Sequence, residues 1–220
     1  MLSRRNFTLA GAMLVAGGAI EKPASAMTVP PPGLLRFDVL RNASRIGEHV
    51  VRLTQSGNTL RADISVEMAV GIGPITVFRY THSVREEWHD GRFRWMESKT
   101  NDNGTQHHVI AERSADGVPV RVGGSGAAVL PAGTIPLTHW NLECMRSPLF
   151  NPQTGLPLNM SVRRRALETV ELGGGRVLRA QRYSLVGETT MDTWYDDAEV
   201  WTALQSAGRD GSMISYRRSV

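Results

Sequence analysis

Cysteine is almost absent. Cys144 stands alone in 220 residues, so no internal disulfide can form in any compartment. No nucleophile motif surrounds it, and it reads as a small buried hydrophobe. Lysine is scarce as well, and nearly all of the positive charge is arginine, which stays ionised and pairs with carboxylates and phosphates. The net charge is only +4, and Arg163-Arg164-Arg165 is the sole basic run, read as a solvated strand end. So small a charge argues against nucleic acid as a partner. No apolar stretch beyond the first twenty residues is long enough to span a bilayer. There is no repeat of fixed period and no low-complexity tract. Gly173-Gly174-Gly175 lacks the lysine and helix start of a phosphate loop and reads as a hairpin turn.

The first twenty-six residues read as an export signal. Ser3-Arg4-Arg5-Asn6-Phe7 resembles a twin-arginine consensus built on Arg4 and Arg5, and a weakly apolar stretch follows from Leu9 to Ile20. Ala24-Ser25-Ala26 supplies a small-residue cleavage site, which places the mature start at Met27. The expected partner is therefore the twin-arginine export machinery, and the expected location is the periplasm. No cysteine follows the cleavage site to carry a lipid, so no membrane anchor is expected. Removing the leader takes away Arg4, Arg5, Lys22 and Glu21, which brings the chain closer to neutrality. Pro30-Pro31-Pro32-Gly33 is a stiff linker spanning part of 27–33.

From residue 34 to 220 the pattern is that of one antiparallel β domain. Leu35, Phe37 and Val39 alternate with polar neighbours, as do His49, Val51 and Leu53. Leu60 to Val70 gives a long period-two run, the mark of a half-buried strand. The expected fold is all-β: a single strongly curved sheet or open β-barrel of roughly ten strands, a size at which sheets curl or split. Ala127–Gly155 departs from this. Its prolines forbid a central strand. Thr138-His139-Trp140-Asn141 is expected to open a short helix running to about Arg146, with Thr138 as its cap. His139, Trp140 and Asn141 are the loop candidates for a site, weighed against a loop that closes one end of the sheet with Trp140 in the core.

Pro74–Arg113 concentrates the aromatic and ionisable side chains. Asp90-Gly91 and Asn103-Gly104 are both two-residue hairpin turns, which fixes a register. Glu86 is expected opposite Trp95, Val84 opposite Glu97, and His82 opposite Lys99. One face then carries Tyr80, His82, Glu86, Trp95, Glu97 and His108 together with Trp88, Phe93 and Ile110. Thr81, Ser83, Ser98 and Thr100 fall on a polar opposite face. So many ionisable groups on an aromatic face have three explanations: cross-strand pairing, wet strand ends, or a ligand pocket. His82 with Glu86 is the candidate base and orienter of an enzymatic alternative. His107 and His108 cannot share a face, and no metal site or cofactor is expected.

Phe37-Asp38-Val39, Tyr80 to Trp88 with Asp90-Gly91, Ser98 to Gly104, Pro136 to Asn141, Leu149-Phe150-Asn151, Trp194-Tyr195-Asp196 and Asp210-Gly211-Ser212 carry a resemblance. Through them the chain resembles an uncharacterised family of exported bacterial β-proteins, a domain of unknown function. The resemblance implies an exported β fold and transfers no catalytic residue. The reading is a periplasmic binder of a hydrophobic or amphiphilic small molecule or an envelope component. The alternatives are an enzyme using His82 and Glu86, and a structural interaction protein without a ligand.

Overall fold

The computed structural model describes residues 33–72, 75–208 and 210–219. The expected leader, Arg4 and Arg5 included, and the linker up to Pro32 lie outside the described residues.

Strand signals of the sequence become strands nearly throughout. The first seven are β1 (Leu34–Arg41), β2 (Ser44–Ser56), β3 (Thr59–Ile72), β4 (Ile75–His89), β5 (Arg92–Asp102), β6 (Thr105–Glu112) and β7 (Val118–Val122). Short β8 (Ala128–Leu130) precedes an insert containing β9 (Ile135–Pro136), β10 (Leu149–Phe150) and β11 (Pro157–Leu158). The last five are β12 (Ser161–Glu171), β13 (Val177–Val186), β14 (Thr190–Tyr195), β15 (Trp201–Ala207) and β16 (Met213–Arg218).

Thirteen strands form one sheet, in the order β12-β13-β14-β15-β16-β1-β2-β3-β4-β5-β6-β7-β8. That exceeds the roughly ten expected. Each strand pairs with its chain neighbour, except where β16 returns to lie against β1. This one long-range pairing joins two meanders into a single sheet. The sheet is all-antiparallel and is not closed: β8 and β12 stand at its two ends. β9, β10 and β11 make a separate three-stranded sheet.

The hairpin turns follow their chemistry. Asp90-Gly91 and Asn103-Gly104 both have positive φ, 49° and 72° for the first pair, 51° and 100° for the second. Such turns match the twist of the flanking strands. β12 runs through the Arg163-Arg164-Arg165 stretch, with a register shift between Arg164 and Leu167.

One face of the sheet supplies the main core, and Ala180, Trp194 and Ala203 form a small separate cluster. Leu35 and Phe37 of β1, Val51 and Leu53 of β2, Leu60 of β3, Trp88 of β4, Met96 of β5, Val109 of β6, Val120 of β7, Leu185 of β13 and Trp201 of β15 all belong to the main core. The insert packs into this core through Trp140, Leu142, Cys144, Leu149 and Phe150. Phe93 and Phe150 meet edge to face at 6.2 Å. The Ser98 hydroxyl donates to the Pro152 carbonyl. The Tyr195 hydroxyl donates to the His139 carbonyl at 2.9 Å. The insert thus touches β5 on one side and β14 on the other, bridging strands far apart in the sheet.

The expected helix from Thr138 is a 3-10 turn, Leu142–Met145, capped by Asn141, whose side chain accepts from the Glu143 amide at 3.0 Å. Thr138 is instead buried and gives its amide to the Cys144 sulfur at 3.3 Å. Among the described residues, no helix is long and apolar enough to cross a membrane.

Candidate functional site

The expected shared face of the central meander is split between the two sides of the sheet. Trp88 faces Phe93, but Glu87 faces Trp95, Glu86 faces Met96, Val84 faces Ser98 and His82 faces Thr100. A register shift between Glu87 and Trp88 makes Arg94 an extra residue on β5. One inserted residue turns every following side chain to the other face. Tyr80, His82 and Glu86 therefore face the core, while Trp95, Glu97, Lys99 and His108 face out. Ser98 and Thr100, expected outside, are buried. The physical reason is plain: Glu97 and Lys99 keep their charges in water, and Met96 takes the core position.

Outside, Glu97 accepts from His108 at 2.9 Å and lies 3.4 Å from the Lys99 ammonium. The His108 hydrogen bond holds the Glu97 carboxyl below its ordinary range. Trp95 is half-buried in this solvated array.

Inside, in-register side chains form rows across the sheet. Nearest the insert, Leu60, Trp88 and Phe93 face one another. The next row runs Leu53, Ala62, Glu86, Met96, Ala111 and Val120, every one buried. Leu35, Val51, Ile64, Val84, Ser98 and Val109 follow, also buried. A polar row comes next: Phe37, His49, Val66, His82, Thr100 and His107. Beyond it, cover thins. Met68, Val70, Phe78, Asp102, Met191, Ile214 and Tyr216 are only half-buried.

Glu86 is 1% exposed. Its Oε2 accepts from two indole N–H groups, Trp88 at 2.9 Å and Trp140 at 3.1 Å. The two rings meet edge to face at 5.7 Å. Burial pushes the carboxyl up to about 7, and hydrogen bonds from Trp88, Trp140 and Thr138 restrain the shift. Glu86 thus ties the insert to β4.

His82 has a different partner, Thr100, whose hydroxyl lies 2.7 Å from Nδ1. Burial lowers its imidazole to about 4. Four residues along a strand separate His82 from Glu86 by about 13 Å. The two share no hydrogen bond, so they do not form the base-and-orienter pair.

Two histidines that the sequence reading passed over or placed in a loop complete the interior. His49 is 8% exposed, and both of its ring nitrogens are enclosed without a partner. Phe37, Trp201 and Tyr216 surround it, with ring centroids at 6.0, 5.1 and 5.6 Å. Burial lowers it to about 3, and the nearby His139 and His82 rings add to the effect. His139 stacks on Trp201 at 5.3 Å, with its Nδ1 enclosed and unpartnered, and burial lowers it to about 4. Trp201 is therefore flanked by two imidazoles, one from β2 and one from the insert. The signal for His49 was its place in a period-two run with Val51 and Leu53, which points it inward. His107, not His108, is the inward member of its pair. Among the described residues, no group of three or more His, Cys, Asp or Glu is placed to hold a metal ion.

Trp140 and Asn141 also border a cleft of about 370 Å³ beside Trp88, with Arg113, Glu143 and Arg146 on its walls. Cys144 is wholly buried, and burial pushes its thiol up, away from the reactive thiolate.

The fold is similar to the crystal structure of a beta-barrel-like protein of domain of unknown function DUF1849 from Brucella abortus, with a TM-score of 0.60. The two share 10% identity, and the match covers 84% of this chain and 94% of that one. A search of curated proteins finds no match. The profile of the domain of unknown function DUF6134 matches residues 37–219, nearly everything from β1 to β16, and the chain belongs to that family.

Proposed function

We propose that this protein is a non-enzymatic binder that takes a hydrophobic or amphiphilic small molecule against the inner face of a strongly curved, open-barrel sheet. The observation that carries the reading is the gradient of cover along that face. Toward the insert, every row is buried. Past the histidine row, Met68, Val70, Phe78, Met191, Ile214 and Tyr216 keep part of their surface in water. Apolar side chains left half-covered on the inner face of a sheet suit a ligand site. The polar groups below it, His49 and His82, give such a site its few fixed hydrogen-bonding atoms. Tyr80 borders it at 8% exposure.

The setting that fits this role is the periplasm, reached through the twin-arginine machinery on Arg4 and Arg5, with the leader removed after Ala26. Changing both arginines to lysine should hold the protein in the cytoplasm, which cell fractionation reads directly.

Native mass spectrometry of the protein purified from its own host tests the binder. A retained small molecule, lost when Met68 and Phe78 are changed to aspartate, is the expected result. A bare polypeptide mass, with no uptake of any amphiphile offered, overturns the reading.

A further inference from the structure

The inner face also says what kind of head group the ligand carries. We infer that the ligand is an amphiphile with a carboxyl head, held at His49 of the interior histidine row; the inference rests on the binder reading above.

His49 is nine-tenths buried, yet neither ring nitrogen has a partner. A neutral imidazole carries one donor and one acceptor, and leaving both unmade in a low-dielectric interior is unfavourable. Other buried polar side chains of this face are engaged: His82 with Thr100, Glu86 with two indoles, Ser98 with the Pro152 carbonyl. His49 differs in this respect from each of them. On its own strand, the next inward residue is Gly47, paired with Met68. A Cβ at Gly47 would meet the Glu67 carbonyl, so this position brings no side chain beside the ring.

The titratable groups around His49 fix the sign of the head group. His139 comes from the insert, His82 from β4, Tyr216 from β16 and Tyr80 from β4, with Asp102 of β5 paired beyond Tyr80. The His139 and His82 rings both oppose protonation of His49. An anion placed among them relieves that opposition, and a proton then settles between carboxylate and imidazole. Of the two carboxyls of this face, Glu86 is committed to Trp88 and Trp140, and Asp102 lies on the far side of Tyr80 from the histidine row, so neither is at His49 to meet a cationic head. Binding a carboxylate to a neutral histidine therefore takes up one proton from solvent, and the balance is carboxylate plus imidazole plus proton giving a hydrogen-bonded ion pair.

Isothermal titration of the exported chain with decanoate, decanol and decyltrimethylammonium, each in two buffers of different ionisation enthalpy, tests this. Decanoate should bind at least about tenfold tighter than decanol at pH 6, as expected for a hydrogen bond to a charged group. It should take up about one proton and weaken as pH rises to 8. His49→Leu should remove the proton uptake and bring decanoate and decanol to the same affinity. Equal binding of decanoate and decanol, no proton uptake, or preference for the cationic amphiphile overturns the carboxyl head and leaves the binder reading intact. No binding by any of the three overturns both. Should His49→Leu fail to fold, the proton count and head-group preference of the unaltered chain decide the matter alone.

Discussion

Glu86 and His49 lie on the same inner face, both nine-tenths buried or more, and they are satisfied in opposite ways. Glu86 sits at the insert end and accepts from two indoles. His49 sits at the edge of the packed region, among aromatic rings, with no hydrogen bond at all. A fully bonded buried polar group belongs to the architecture, because removing it orphans its partners. An unbonded one contributes little to the fold, and its presence asks for another explanation. The molecule thus divides into a closed end that the insert locks and a more thinly covered end near which His49 has no partner.

The largest effect expected from breaking this contrast is at Glu86. Glu86→Leu leaves the indole N–H groups of Trp88 and Trp140 buried without an acceptor. At about 1–3 kcal/mol for each orphaned donor, stability should fall by about 2–5 kcal/mol in urea unfolding. Glu86→Gln keeps an acceptor and should recover most of that loss. Equal stability of the leucine variant and the unaltered chain would remove Glu86 from its role as the insert's tie.

A pH profile separates the two groups next. Burial lowers His49 to about 3, and His82 and His139 to about 4, all from an ordinary value of 6.5. The unfolded chain then binds more protons than the folded one below pH 6.5, so stability falls as acid is added. Glu86 works the other way. Its value of about 7 lies above the ordinary 4.5, so its unfavourable contribution shrinks as pH falls from 7 to 4.5. Three histidines outweigh one glutamate, and thermal unfolding should show a net loss on the order of 1–2 kcal/mol between pH 7 and 5.5. Glu86→Gln should steepen the loss in that window, whereas His49→Leu should flatten it. A flat profile in all three proteins would mean that these groups meet solvent in the folded state.

Much of this division was legible in the sequence and part was not. Period-two runs such as Leu60 to Val70 and the Asp-Gly and Asn-Gly turns gave the strands and hairpins, because each is a local signal. The face of β5 was lost to a single inserted residue. Phe93, Trp95 and Met96 offer two apolar phases, and only the charges of Glu97 and Lys99, which belong in water, tell them apart. The β16–β1 pairing that unites the sheet links positions 37 and 218, and no local pattern announces it. Nor does any spacing reveal that Trp140, fifty-four residues along, donates to Glu86. His49 was readable as inward but not as unpartnered, since that depends on three rings from separate strands.

Trp140→Phe sharpens the tie from the insert side. The ring stays in the core, and one of the two hydrogen bonds to Glu86 is lost, so about 1 kcal/mol of destabilisation is expected. Combined with Glu86→Gln in a double-mutant cycle, the two changes should be clearly non-additive, because they share one contact. Additivity would show that the indole hydrogen bond contributes nothing of its own.

The smallest effect is expected at His49, and it is the sharpest test of the comparison. His49→Leu removes no hydrogen bond and fills a similar volume among Phe37, Trp201 and Tyr216. It also removes two buried polar nitrogens whose desolvation opposed folding. Urea unfolding at pH 7 should therefore change by less than about 1 kcal/mol, and in the stabilising direction. A loss as large as that of Glu86→Leu would mean that the imidazole is held by bonds of its own, and the contrast between the two ends of the inner face would collapse. A stable His49→Leu protein keeps its fold while shedding a polar group that the fold does not use, which is the behaviour of a residue kept for what it binds.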